Sequence, residues 1–167
     1  MATRFQRITP FLWFPTAEVT EAAVALYTAV FEDSRIVART AYNAQSARAS
    51  GQPEGAVMTI AFQLAGQDFV ALNGGPHFRF TEAVSFSVSC ETQAELDHFW
   101  NRLSEGGDEK AQQCGWLKDR FGVSWQVVPA ALPQLLAGSD PEKARRVMEA
   151  MLKMKKLDVA ALQRAAG

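Results

Sequence analysis

Hydrophobic and polar positions along the chain change period in an ordered way. Ile8-Thr9-Pro10-Phe11-Leu12-Trp13-Phe14 is β-rich, and its early proline suits a strand start or an edge. Thr16 offers an N-cap, after which Val19, Ala23, Leu26 and Val30 recur at spacings of four, three and four, one apolar stripe on a helix. Strand-like runs follow at Arg35–Tyr42, Val57–Leu64 and Phe69–Asn73, the last two joined by the hairpin connector Ala65-Gly66-Gln67-Asp68. Between the first two, residues 43–55 are rich in Ser, Ala, Gln and Gly and read as a long mobile loop.

The same grammar then returns. Val84 to Cys90 alternates strictly between apolar and small polar residues, the pattern of a half-buried strand. Thr92-Gln93-Ala94-Glu95 is a capping-box pattern, Leu96, Phe99, Trp100 and Leu103 form the stripe of the helix it opens, and Gly106-Gly107 stops it. Short strands are expected around Gln112–Leu117 and at Val123–Val128, so strand, helix, strands is followed by strand, helix, strands: a βαβββ repeat. Asp140-Pro141-Glu142 then opens a helix with the stripe Ala144, Val147, Met148 and Met151, and a short last helix starts near Asp158. The expected architecture is α+β and one domain over residues 1–167, with modules at 8–73 and 84–129 and a C-terminal helical extension at 133–167.

Composition narrows the partners. A hydrophobic content of 48% supports a real core, and a net charge of -1 gives no footing for nucleic acid or an anionic membrane. Apolar runs stay too short for a bilayer span, and the N-terminus lacks the layout of a signal peptide. Two cysteines, Cys90 and Cys114, are too few for a disulfide framework, so the expected compartment is the reducing cytoplasm.

The words "ITPFLWF", "ALYTAVFEDSRI", "VSFSVSCETQAELDHFWNRLSEGG" and "CGWLKDRFGVSWQVVP", with the closing "DPEKARRVMEAMLKMKKLD", resemble the PhnB-like branch of the vicinal-oxygen-chelate superfamily. That superfamily includes glyoxalase I, extradiol dioxygenases, and fosfomycin- and bleomycin-resistance proteins. The resemblance implies two modules whose sheets curl into a half-open barrel, completed by homodimerisation, with a metal or ligand held in the concavity.

It also implies four metal-ligand positions, one on the first and last strand of each module, held by His or Glu. Carried onto this chain they fall at Thr9, near Ala71 or Asn73, near Ala83 or Ser85, and at Gln126. None is an imidazole or a carboxylate, the donors such a Lewis-acid metal requires. His77 and His98 are the chain's two histidines, the first in a connector and the second off its helix's apolar stripe. The expectation is a metal-free pocket with no cofactor.

Strand parity maps that pocket. Thr9, Phe11 and Trp13 share one face of the opening strand; Ser85, Ser87 and Ser89 share one face of the second module's first strand; Ser124, Gln126 and Val128 share one face of the last. The expected ligand-binding set is Phe11, Trp13, Asn73, Ser85, Ser87, Trp116, Lys118 and Gln126. Hydroxyls and an amide oppose aromatics, a mix suited to a small amphiphilic ligand, and the same aromatics equally suit simple filling. In residues 114–129, Asp119 and Gly122 read as a turn and Trp125 as core. Cys114, beside Lys118 and Arg120, is the candidate nucleophile.

Two functional readings follow. One is a homodimeric, metal-independent small-molecule binding protein. The other is a divergent superfamily enzyme, either a metal-dependent lyase or isomerase or one that uses Cys114. A third label, 3-demethylubiquinone methyltransferase, clings to relatives of this sequence, yet Pro15-Thr16-Ala17-Glu18 supplies no glycine-rich loop after the first strand for S-adenosylmethionine. The Met148, Met151, Leu152 and Met154 face is available to close one end of the domain or to pack on a second subunit.

Overall fold

The structure, a computed structural model, describes residues 6–137 and 140–167. Residues 138 and 139 of the expected C-terminal extension, and the first five of the chain, lie outside the described residues. The chain divides into two compact units, at residues 1–79 and 80–167. Each carries a small sheet with a helix on one face, so the class is α+β as the periodicity predicts.

In the first unit the strands are β1 (Phe11–Phe14), β2 (Arg35–Ala41), β3 (Val57–Leu64) and β4 (Gln67–Asn73), in the order β1-β4-β3-β2. The β1–β4 pair is parallel and the others antiparallel. Helix α1 (Ala17–Val30) opens where Thr16 accepts from the Val19 amide, as its sequence predicts. It lies on β3 and β4 and buries Ala23, Val24, Tyr27 and Val30 against the strand face bearing Phe14, Ile60, Phe62 and Ala71. The β3–β4 turn takes its two left-handed residues at Ala65 and Gly66, with φ of 47° and 74°, so Gln67 and Asp68 already belong to the strand.

The expected mobile loop after β2 is instead a helix, α2 (Ala44–Ser50). Asn43 accepts from the amides of Gln45 and Ser46, while the Ser46 hydroxyl accepts from the Asn43 amide. Gly51 then ends the helix at φ 72°, in the left-handed region that glycine enters freely.

In the second unit β5 (Phe86–Cys90), β6 (Trp116–Lys118) and β7 (Ser124–Pro129) form a three-stranded sheet, order β5-β7-β6, with β5 and β7 parallel. This module is one strand short of the expected βαβββ. A 3-10 turn, Glu109–Ala111, follows the helix, and Gln113 reaches Trp116 by a single bridge. Val84, expected against the helix, lies before β5 and is 69% exposed. Helix α3 (Gln93–Ser104) buries Leu96, Trp100 and Leu103. Its cap is half of the expected box: Thr92 accepts from the Glu95 amide, but the Glu95 carboxylate takes the Glu91 amide.

The C-terminal extension forms α4 (Leu132–Leu136), α5 (Pro141–Met151) and α6 (Val159–Ala166). Asp140 and Asp158 cap the last two. The extension is docked by main-chain bonds: the Cys114 and Gly115 amides donate to the carbonyls of Met154 and Lys155, both at 2.8 Å. Gln93 adds a side-chain anchor, accepting from the Val159 amide and donating to the Leu157 carbonyl. Of the predicted α5 stripe, Val147 is fully buried, whereas Met148 and the following Leu152 are exposed. Among the described residues no helix is long and apolar enough to cross a membrane.

Candidate functional site

Each sheet turns one face to its helix and leaves the other open. Cross-strand partners share a face, so the register sorts the predicted residues without further assumption. In the first sheet, Phe14 pairs with Asn73, and Ile60 with Ala71, all on the buried side. The open side carries Trp13 with Leu72 and Thr59, then Phe11 with Val70 and Ala61, then Gln63 with Asp68 and Arg35.

Phe11 and Trp13 therefore stand together, as the parity of β1 predicts. Phe11 is 59% exposed. Trp13 is half-buried: its Nε1 donates to the Gly75 carbonyl at 2.8 Å, and its ring meets Phe78 edge-on at 4.9 Å. A Cβ on Gly74 would sit 2.2 Å from that ring, so glycine is what lets the indole lie flat there. Asn73, placed in the predicted set beside these aromatics, is on the other face, 1% exposed. Its side chain donates to the Val57 carbonyl, its main-chain carbonyl accepts from the Tyr42 hydroxyl, and its Oδ1 has no partner. The parity of β4 gives the open face to Asp68, Val70 and Leu72 instead.

An open groove of about 670 Å³ runs along one end of this face, past Thr9, Arg35, Gln63, Asp68 and Val70. Gln63 donates to Asp68, and Gln6 ties the Asp68 amide and carbonyl to the chain entering β1.

The second sheet gathers more of the prediction. Trp116 and Ser87 both pair with Gln126, one on each side, and Lys118 pairs with Ser124. Gln126 Nε2 donates to Ser85 Oγ at 2.9 Å. Ser85, Ser87, Trp116, Lys118 and Gln126 thus share one open face, with Leu117, Trp125 and Val127 buried on the other. Two further residues belong beside them: Ser124, which the parity of the last strand already put on this face, and Glu82, which had no sequence signal. Ser124 is 2% exposed, and its hydroxyl has no hydrogen-bond partner. Glu82, on the connector before β5, pairs with the Lys118 ammonium, and that hydrogen bond holds its carboxyl below the usual glutamate range.

Residues 114–129 resolve into turn and core. Cys114 and Gly115, at φ 54° and 85°, are the two left-handed residues of a tight hairpin in which Gln113 and Trp116 exchange main-chain bonds. Asp119 is 2% exposed; its Oδ1 accepts from the Phe121 and Val123 amides and its Oδ2 from the Trp125 indole. Cys114 is half-buried. Cys90, on the buried face, has its thiol pushed up to about 11, by burial and then by Glu95.

The positions where the resemblance implies metal ligands do not suit a divalent ion. Thr9, Ala71, Ala83 and Ser85 offer hydroxyls or nothing, Asn73 is buried on the helix side of its sheet, and Gln126 brings only a neutral amide, whose nitrogen donates to Ser85. Among the described residues no group of three or more His, Cys, Asp and Glu is placed to hold a metal. His98 is exposed on α3, edge-on to its neighbour Phe99, and His77 is exposed in its connector.

Comparison with known proteins supplies the family. The model of the 3-demethylubiquinone-9 3-methyltransferase family matches residues 6–128, which takes in every strand except the last residue of β7 and leaves α4 to α6 outside. The PhnB protein of Bacillus cereus is 34% identical, with a TM-score of 0.62 over 75% of this chain and 100% of that one. Protein PA1353 of Pseudomonas aeruginosa shares the fold at 22% identity, with a TM-score of 0.54 over 75% of this chain and 98% of that one. The fosfomycin resistance protein FosX of Listeria monocytogenes is 11% identical, with a TM-score of 0.46 over 75% of this chain and 89% of that one. Among curated proteins none matches.

Proposed function

The chain belongs to the 3-demethylubiquinone-9 3-methyltransferase family, PhnB-like, and from that membership and the chemistry of its open sheet faces we propose a homodimeric, metal-independent protein that binds a small molecule. One observation carries the reading: Ser85, Ser87, Trp116, Lys118 and Gln126, chosen from sequence as ligand contacts, share a single face of the second sheet. Hydroxyls, an amide, an ammonium and an indole recognise a small polar-aromatic molecule by hydrogen bonding and stacking. No imidazole stands among them to activate a nucleophile or to hold a Lewis acid.

Methyl transfer, which the family description names, draws no support from these residues. Phe14 leads through Pro15 into the cap and first turn of α1, with no glycine-rich loop to cradle a nucleotide-like donor. Cys114 catalysis draws little more, because the residue's backbone position is accounted for by the hairpin it turns. A cytoplasmic location accords with two free cysteines. The dimer reading draws on Met148 and Leu152, 39% and 55% exposed at the end of α5, an apolar face that a second copy would cover.

Elemental analysis of the purified chain, with melting curves before and after Ni²⁺, Co²⁺, Zn²⁺ or Mn²⁺, tests metal independence, since specific binding to the native state must raise stability. The expected result is no stoichiometric metal and no shift; stoichiometric metal with a higher Tm overturns the reading. Sedimentation analysis is expected to give twice the 18.3 kDa chain mass, and a monomer overturns the dimer.

A further inference from the structure

We infer that the open face of the second sheet is an oxyanion site centred on Lys118, that Glu82 occupies it in the ligand-free protein, and that the natural ligand carries a carboxylate- or phosphate-type group. The inference rests on the binding function proposed above and names its ligand class.

Lys118 and Glu82 are unequal members of their pair. Lys118 projects from a strand, between a hairpin and the Asp119 turn, and its side chain is 23% exposed. Glu82 comes from the connector before β5, and its side chain is 58% exposed. The cation is thus built into the sheet, while the anion reaches it from outside. A pair whose anion stands largely in solvent contributes little to stability, and that anion exchanges readily with a competing one.

Ser124 supplies the independent observation. It is the register partner of Lys118, it is almost wholly buried, and its hydroxyl has no partner. Buried hydroxyls are nearly always satisfied, so this one wants an explanation. The Glu82 carboxylate satisfies Lys118 and leaves Ser124 Oγ unpaired. An oxyanion seated deeper against the sheet accepts from both, with a charge-assisted bond from the ammonium. Gln126 and Ser85, already bonded to each other, stand on the same face, and Trp116, two residues from Lys118, offers a flat apolar surface to the rest of the molecule. The geometry points to a small amphiphile, oxyanion at Lys118 and Ser124, planar body toward Trp116. Glu82 is then an internal competitor that any ligand must displace.

The test uses titration calorimetry on the full chain with phenyl phosphate, benzoate and the neutral benzyl alcohol. Replacing Glu82 by Gln is expected to tighten phenyl phosphate about threefold to fivefold, the loss of one exposed competing charge. Lys118→Gln is expected to weaken it about tenfold, with Lys118→Arg restoring part of the loss. Ser124→Ala is expected to weaken the anion while leaving Tm unchanged or higher, a combination that a purely structural serine does not give. Melting curves establish that each variant is folded. Phenyl phosphate affinity that ignores Lys118→Gln, or that falls in Glu82→Gln, overturns the inference. Binding of benzyl alcohol without either anion overturns it too, and leaves the binding function standing. No binding of any of the three overturns both.

Discussion

Asp119 accepts the indole hydrogen of Trp125 at 2.9 Å, and with its other carboxylate oxygen it accepts two main-chain amides of its own turn. One buried side chain therefore fixes both the hairpin into β7 and the rotamer of a core tryptophan. Replacing Asp119 by Ala removes the acceptor that these three donors share, at a cost of about 1–3 kcal/mol for each buried donor. The expected outcome is a loss of about 10 °C or more in Tm, with Asp119→Asn intermediate because it keeps one acceptor. Denaturant unfolding monitored by tryptophan fluorescence measures both.

The two left-handed residues of the hairpin between Gln113 and Trp116 are expected to respond unequally. Cys114 holds a left-handed conformation at φ 54°. Glycine relieves about 1–2 kcal/mol of strain there and forfeits a similar amount in the freer unfolded chain. Cys114→Gly should thus unfold within about 1 kcal/mol of the parent. At Gly115 a Cβ would stand 2.9 Å from the Val127 carbonyl and 3.1 Å from Leu157, and the backbone is again left-handed. Gly115→Ala is expected to cost about 2 kcal/mol or more, through strain and overpacking together. Equal effects at the two positions would contradict this account of the hairpin.

Thiol labelling separates the cysteines. Cys90 is 1% exposed with its thiol pushed up to about 11, so its reactive thiolate is scarce at neutral pH. A maleimide is expected to modify Cys114 in the native protein and Cys90 only on unfolding, read by intact-mass spectrometry. Native labelling of both would place Cys90 outside the core.

Acid stability should carry a signature from α3. Hydrogen bonds from Lys156 and then from Gln93 hold the Asp97 carboxyl below its ordinary 3.8. A carboxyl lowered on folding stabilises the native state above its unfolded pKa and loses that contribution as pH falls through the folded one. Melting curves taken down through the carboxylate range are therefore expected to drop more steeply below pH 3.8 for the parent than for Asp97→Asn. Parallel curves would assign the acid loss to other groups.

How far the sequence reached depends on where local physics decides. Caps and stripes gave α1, α3, α5 and α6 nearly to the residue, because each signal lies within a few positions of the structure it makes. Helix α2 was legible in principle: Asn43 and Ser46 stand at cap spacing, but serine in place of glutamate hid the box inside a polar stretch. The second module's missing strand was not legible, since a repeat suggests its own completion. Within the site, alternation placed the residues of β1, β5 and β7 correctly relative to one another. Asn73 entered the set through the resemblance rather than through alternation, and the parity of β4 puts it with Phe69 and Ala71 on the buried face. Glu82 had no signal at all, because its role comes from a connector folding back on a strand thirty-odd positions later in the chain.

The way the last segment joins the body has an evolutionary consequence. Met154 and Lys155 are gripped through their carbonyls, and a carbonyl is the same atom whatever side chain it accompanies. Mutational drift at positions 154 and 155 can therefore run far without breaking these two bonds. The constraint falls on the other partner: Gly115 must stay small, so one codon in the hairpin carries a requirement that none of the residues it grips has to share.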